Sequence, residues 1–222
     1  MTDEPTNNRQ QKIDQARELA RKYMRQGWGS RHSVLHAIYD LFDTGLSQEE
    51  FLKACRILNP FHAPAGALYE SGCGFGVTTC GTLLGALASF AMVHGVIYGR
   101  EGPRFPGGGW DDTYKKIMTN PDLSVEAKVR AYLDKLKAIG GGAYYQIVTR
   151  FKDRLGATDC ITLRRPSLGG DPLSKGAFQA CNKAAIEAAG IVAEVILQYE
   201  ENPDSLQIGE GNVHLAELRS QE

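Results

Sequence analysis

The chain has 222 residues, 42% of them hydrophobic and 23% charged, with a net charge of −1. That is enough apolar material for a full core, and the charge balance excludes an electrostatic case for nucleic acid or an anionic membrane surface. The polar start lacks the apolar core of a secretory signal, which leads to the expectation of a cytoplasmic protein. Five cysteines in a reducing compartment point to metal binding or redox work rather than a disulfide framework.

Residues 1–11 read as disordered, residues 12–200 as a single helical domain and residues 201–222 as a polar tail. The first helix is expected over 12–26, with Ile13, Ala16, Ala20 and Tyr23 on one face and Gly27 as its stop. A second follows over 30–42, with Val34, Ile38 and Leu41 inward. His32 and His36 lie four apart on it, the spacing of two ligands on one metal, but no third ligand is near, so they read as ordinary surface or interface histidines. Ser47-Gln48-Glu49-Glu50 is a capping box that opens a third helix running to Leu58. Cys55 on that helix reads as a small buried hydrophobe.

From Ser71 to Gly99 there is no Asp, Glu, Lys or Arg. A glycine-rich loop carrying Cys73 leads into an apolar helix over about 80–99, expected to lie at the centre of the bundle. Leu84, Leu87, Ala91, His94 and Tyr98 share one face of it. Gly81, Gly85 and Ser89 recur every fourth residue on a neighbouring face, where small side chains let another backbone approach closely. The segment is too rich in Gly, Ser and Thr for a membrane span, so no membrane insertion is expected. Cys80 falls at the helix start, behind Thr78 and Thr79 as possible caps. The positive end of the helix favours a thiolate there, although two inert buried cysteines would fit the same local sequence.

Short helices are expected over 111–118 and 124–138, and Gly140-Gly141-Gly142 reads as a hinge. Then comes a helix over 143–155, with Tyr144, Ile147, Phe151 and Leu155 inward. Cys160 lies in the turn that follows. A last long helix begins after Ser174 and places Ala177, Cys181, Ala184, Ala188, Ile191 and Val195 on its inner face. No segment shows sustained strand alternation, so the expected class is an all-α bundle.

Cys80-Gly81-Thr82-Leu83-Leu84-Gly85, the His94 to Arg100 ending, the segment from Phe151 to Cys160, and Cys181 together resemble a family of redox-active proteins. That family is described by the cysteine pattern C_GCAxxG_C_C; here Thr82 replaces its alanine. The resemblance covers roughly 30–100 and 143–197 and leaves 101–140 as an insertion. It departs at the first cysteine, which aligns with Ser33. The split-Soret cytochromes contain a similar domain that holds an iron–sulfur cluster. The resemblance implies redox activity; either the family chemistry is lost with Ser33 or Cys73 takes the missing place, and the second gives an electron-transfer protein with Cys73, Cys80, Cys160 and Cys181 as metal ligands. The implied cofactor is an iron–sulfur cluster, [2Fe–2S] by ligand count, with zinc as an alternative. Covalent haem is disfavoured, because no Cys-x-x-Cys-His occurs. A metal-free thiol–disulfide protein, using Cys160 with Cys181 or Cys73 with Cys80, is a second reading. A binding or assembly subunit with inert cysteines is a third. A redox partner protein and a homodimer are expected as partners.

Overall fold

Local signals account for where most helices begin and end. The computed structural model describes residues 4–58, 79–94, 98–99, 102–103, 116–117, 119–138, 141–160, 162–164 and 175–206. Its helices are α1 (Glu4–Arg25), α2 (Ser30–Leu41), α3 (Gln48–Leu58), α4 (Gly81–His94), α5 (Val125–Ala138), α6 (Gly141–Leu155) and α7 (Lys175–Glu201), followed by a 3₁₀ turn at Pro203–Ser205. The fold is all-α. Among the described residues the only sheet is a two-residue antiparallel pair, Tyr98–Gly99 with Gly102–Pro103. The capping box at α3 is formed: the Ser47 amide donates to Glu50 at 2.8 Å, and the Glu50 amide donates to the Ser47 hydroxyl at 3.3 Å. Gly27, Gly45 and Gly156 take positive φ of 87°, 62° and 90°, the left-handed conformation that a chain leaving a helix adopts most readily at glycine.

Three boundaries differ from the sequence reading. α1 opens at Glu4 rather than 12, because Pro5 is tolerated in a first turn and pairs such as Gln10–Asp14 and Arg17–Asp14 support the polar stretch. α4 stops at His94 rather than near 99, and Tyr98–Gly99 then pairs as a strand. The helix expected over 111–118 lies mostly outside the described residues.

The chain divides into two compact units, Met1–Val93 with Ile147–Leu197, and His94–Gln146 with Gln198–Glu222. In the first, α1 packs on α2, and the Tyr23 hydroxyl donates to Asp40. The buried face of α4 is Gly81, Thr82, Leu83, Gly85, Ala86, Ser89 and Phe90. This is the small-residue side expected to admit another backbone; on the neighbouring face Leu84 and Leu87 are half-buried and Ala91 is exposed. The reason is contact with backbone: a Cβ on Gly85 would lie 2.7 Å from the Arg31 carbonyl oxygen of α2. The Ser89 hydroxyl turns inward and donates to the Gly85 carbonyl at 2.7 Å. The most completely enclosed stretch is in α7, where every residue from Ala188 to Ala193 is buried. Arg17 of α1 lies flat on Gly190 of α7. Glu194 of α7 binds Arg150 and Arg154 of α6 at 2.9 and 2.5 Å. Cys55 packs with Leu35 and Phe51, as a small buried hydrophobe should.

In the second unit, Gly142 in the first turn of α6 lies against the chain after the 3₁₀ turn, so closely that a Cβ would fall 1.7 Å from the Leu206 carbonyl oxygen. His94 Nε2 is 3.4 Å from Glu200, and the ring lies 5.1 Å from that of Tyr199.

The Gly85 contact is testable. Alanine adds ~1 kcal/mol of helix propensity over glycine, yet here its methyl must displace the α2 backbone, an overpacking cost of about 1–3 kcal/mol. Gly85→Ala should therefore lower the urea midpoint and Gly85→Val lower it further. A rise in both would mean that α2 does not rest on this face.

Candidate functional site

The site begins with two short stretches of backbone. Thr79 and Asp159 form an isolated antiparallel bridge, and the Cys80 amide donates to the Thr158 carbonyl at 2.7 Å. This pairing sets the start of α4 beside the turn after α6. The Cys80 carbonyl accepts from the Leu84 amide at 3.0 Å, so Cys80 itself is the N-cap of α4. Its sulfur accepts from the Thr82 and Leu83 amides and from the Thr82 hydroxyl, the donors left without an intrahelical partner at a helix start. Asp159 does the same for the turn that carries Cys160: Thr162 donates to its side chain at 2.7 Å and Leu163 to its carbonyl at 3.2 Å.

The Cys160 thiol is hydrogen-bonded to the Cys80 sulfur. Cys181 of α7 is the third sulfur of the group, close enough for its charge to oppose ionisation of Cys160. Arg164 is fully buried, at 2% exposure, and its guanidinium eases ionisation of both Cys160 and Cys181. Cys80 is buried, at 4% exposure, whereas Cys160 and Cys181 are half-buried.

These neighbours separate the three sulfurs electrostatically. The hydrogen bond from Cys160, helped by Thr82 and the Leu83 amide, lowers the Cys80 pKa against the opposing effect of burial. The same hydrogen bond, then burial and the Cys80 charge, push Cys160 far up. Burial raises Cys181. One proton is thus shared unequally between Cys80 and Cys160, and the pair titrates as a unit.

Of the four cysteines expected at the site, Cys80 and Cys160 lie beside each other across the Thr79–Asp159 bridge, and Cys181 of α7 is within electrostatic reach of both; Cys73 lies outside the described residues. Cys55 is elsewhere: burial raises its pKa, and its charged neighbour is Arg31. Ser33 is buried on α2, and its hydroxyl donates to the Trp28 and Gly29 carbonyls at 3.3 and 3.2 Å. His36 sits among the rings of Tyr23, Trp28 and Phe51, with centroids 4.9, 4.4 and 4.8 Å away, and burial lowers its pKa. Thr82, Thr158, Asp159 and Arg164 are additions that periodicity did not find. The Asp159-x-x-Thr162 spacing is an N-cap pattern that could have marked the turn at Cys160; nothing local marks Arg164.

The donor set is soft. Thiolates suit iron–sulfur or zinc centres, and a nearby guanidinium suits an anionic one. Among the described residues, however, no group of three or more His, Cys, Asp or Glu is disposed to hold a metal ion, and none of the helices found there is long and apolar enough to cross a membrane. Comparison with family models, with curated proteins and with solved structures gives no match. The protein is all-α, and the start of one of its helices sets Cys80 beside the segment that carries Cys160.

The cap makes a titration prediction. Because the Cys80 pKa is lowered, a thiolate step should appear in the ultraviolet pH titration below the ordinary cysteine value of about 8.5. Cys80→Ser should remove that step, and Thr82→Val should move it upward. A lowered folded pKa adds stability that is complete above the unfolded thiol pKa and lost as pH falls through the folded one. The wild-type advantage in stability over Cys80→Ser should accordingly shrink as pH drops across that interval.

Proposed function

We propose that the protein is redox-active through Cys80, Cys160 and Cys181, and that its working chemistry is reversible disulfide formation between Cys80 and Cys160. The carrying observation is the backbone pairing that sets Cys80 beside Cys160, the Thr79–Asp159 bridge with the bond from the Cys80 amide to the Thr158 carbonyl, and the mutual pKa shifts of the two thiols agree with it. A thiolate held at a helix start beside a protonated thiol is the pairing that exchange needs: one sulfur attacks and the other donates a proton. Two thiols lose two electrons and two protons as the S–S bond forms. The pair differs from the two pairs expected from spacing, since the Thr79–Asp159 bridge joins segments far apart in the chain. The resemblance to the redox-active cysteine-pattern family supports the same reading, and a reducing compartment with a thiol-bearing partner protein is its natural setting.

A second reading, ligation of an iron–sulfur cluster, is supported by the resemblance and by Cys181 lying within electrostatic reach of Cys160. Cys80, Cys160 and Cys181 would hold it with Cys73, and the cluster would supply one-electron transfer.

Limited oxidation with diamide followed by peptide mapping tests the first reading. A Cys80–Cys160 disulfide should dominate, and Cys55→Ser should leave it unchanged. Oxidation that never joins Cys80 to Cys160 would sink the proposal. An absorption spectrum and iron analysis of anaerobically purified protein separate the second reading, which requires iron that falls in Cys181→Ser.

A further inference from the structure

We infer that the first unit carries a second site, a cavity between α1, α6 and α7 that binds a small phosphate monoester on arginine side chains. The cavity has a volume of about 430 Å³, within the range of small-molecule pockets, and the inference does not depend on the thiols. Helical spacing builds it. Arg9, Ile13 and Arg17 fall four apart on α1, and Glu187 and Glu194 lie seven apart on α7 with Gly190 between them. Arg154 of α6 closes the third side.

Gly190 lets Arg17 lie down against α7, since a Cβ there would fall 2.6 Å from Arg17 Nε. That Nε is enclosed and has no hydrogen-bond partner among the described residues, so packing holds the guanidinium at this end. Its outer nitrogens turn to carboxylates, Nη1 to Asp14 at 2.9 Å and Nη2 to Glu187 at 3.8 Å. The second distance is longer than a hydrogen bond, a gap of the kind that a water or a ligand atom bridges.

Charge decides the class of ligand. Glu194 already holds Arg150 and Arg154, at 2.9 and 2.5 Å. Arg9 adds a further guanidinium, close enough for its charge to be felt at Arg150. Arg9, Arg17, Arg150 and Arg154 thus gather round three carboxylates, Asp14, Glu187 and Glu194, an excess of one positive charge. Burial lowers the Arg150 pKa, and repulsion from Arg154 and Arg9 adds to that against the attraction of Glu194. An anion in the cavity relieves the repulsion. Guanidinium groups present planar pairs of N–H donors that match phosphate oxygens, so the phosphate goes to the arginines. Glu187, whose ion pair is loose, accepts from a hydroxyl on the body of the ester, and Ile13 gives that body an apolar wall.

Isothermal titration of the full chain with glucose 6-phosphate, glycerol 3-phosphate and inorganic phosphate tests this, with glucose as the uncharged control. At least one ester should bind tenfold more tightly than inorganic phosphate, and glucose should not bind. Arg9→Gln leaves the arginines paired with Glu194 and Asp14 in place. It should weaken the ester at least tenfold with helix content by circular dichroism unchanged. Gly190→Ala, which pushes Arg17 aside, should weaken it as well. Absence of binding by all three phosphates, or ester binding that both variants leave unchanged, would overturn the site. Inorganic phosphate binding as tightly as both esters would overturn the ester assignment.

Discussion

The hydrogen bond from the Cys80 amide to the Thr158 carbonyl is the joint on which the site depends. It fastens the N-terminus of one helix to a turn some eighty residues later in the chain. A single backbone bond contributes only about 1 kcal/mol net, so it cannot hold those segments alone. The Thr79–Asp159 bridge extends it, and the Asp159 cap fixes the turn that follows. Position then comes from rigid elements on both sides: α4 runs away from Cys80 in one direction, and a capped turn runs away from Cys160 in the other.

The groups that finish the helix are the groups that set the chemistry. An N-cap side chain satisfies amide donors and is worth about 0.5–2 kcal/mol. Serine would serve that purpose with no redox consequence. With sulfur in the position, the same amides and the Thr82 hydroxyl stabilise a negative charge in a buried place, where an unsolvated ion would otherwise cost several kcal/mol. Stabilising the reduced thiolate raises the reduction potential of the corresponding disulfide, because oxidation removes the charge those donors favour. Helix stability and oxidising strength are therefore set by one set of hydrogen bonds.

The helices were largely legible in the sequence, and their packing less so. The capping box at Ser47, the stop at Gly27, and the inner positions Ala184, Ala188, Ile191 and Val195 of α7 follow from local chemistry that tertiary contacts did not override. The buried side of α4 was harder, because a helix that is apolar nearly all round has no moment to point with. The four-residue spacing of Gly81, Gly85 and Ser89 was the usable cue, and the Arg31 backbone approaches at Gly85 on that side. The three clustered cysteines were nameable from their types and the resemblance, but their pairing was not. Spacing favours neighbours in sequence, whereas Cys80 met Cys160 through backbone pairing that leaves no periodic trace. Arg164 left none either, since a buried arginine in a loop-like stretch reads as a surface charge.

That arginine acts on two of the three thiols and not equally on all of them. Ionised thiolates close together would repel one another. Arg164 eases ionisation of Cys160 and Cys181, while the charge on Cys80 opposes it. Cys80 has its own amide donors and needs no help from the cation. The capping donors favour a negative charge on Cys80, and that charge in turn opposes ionisation of Cys160.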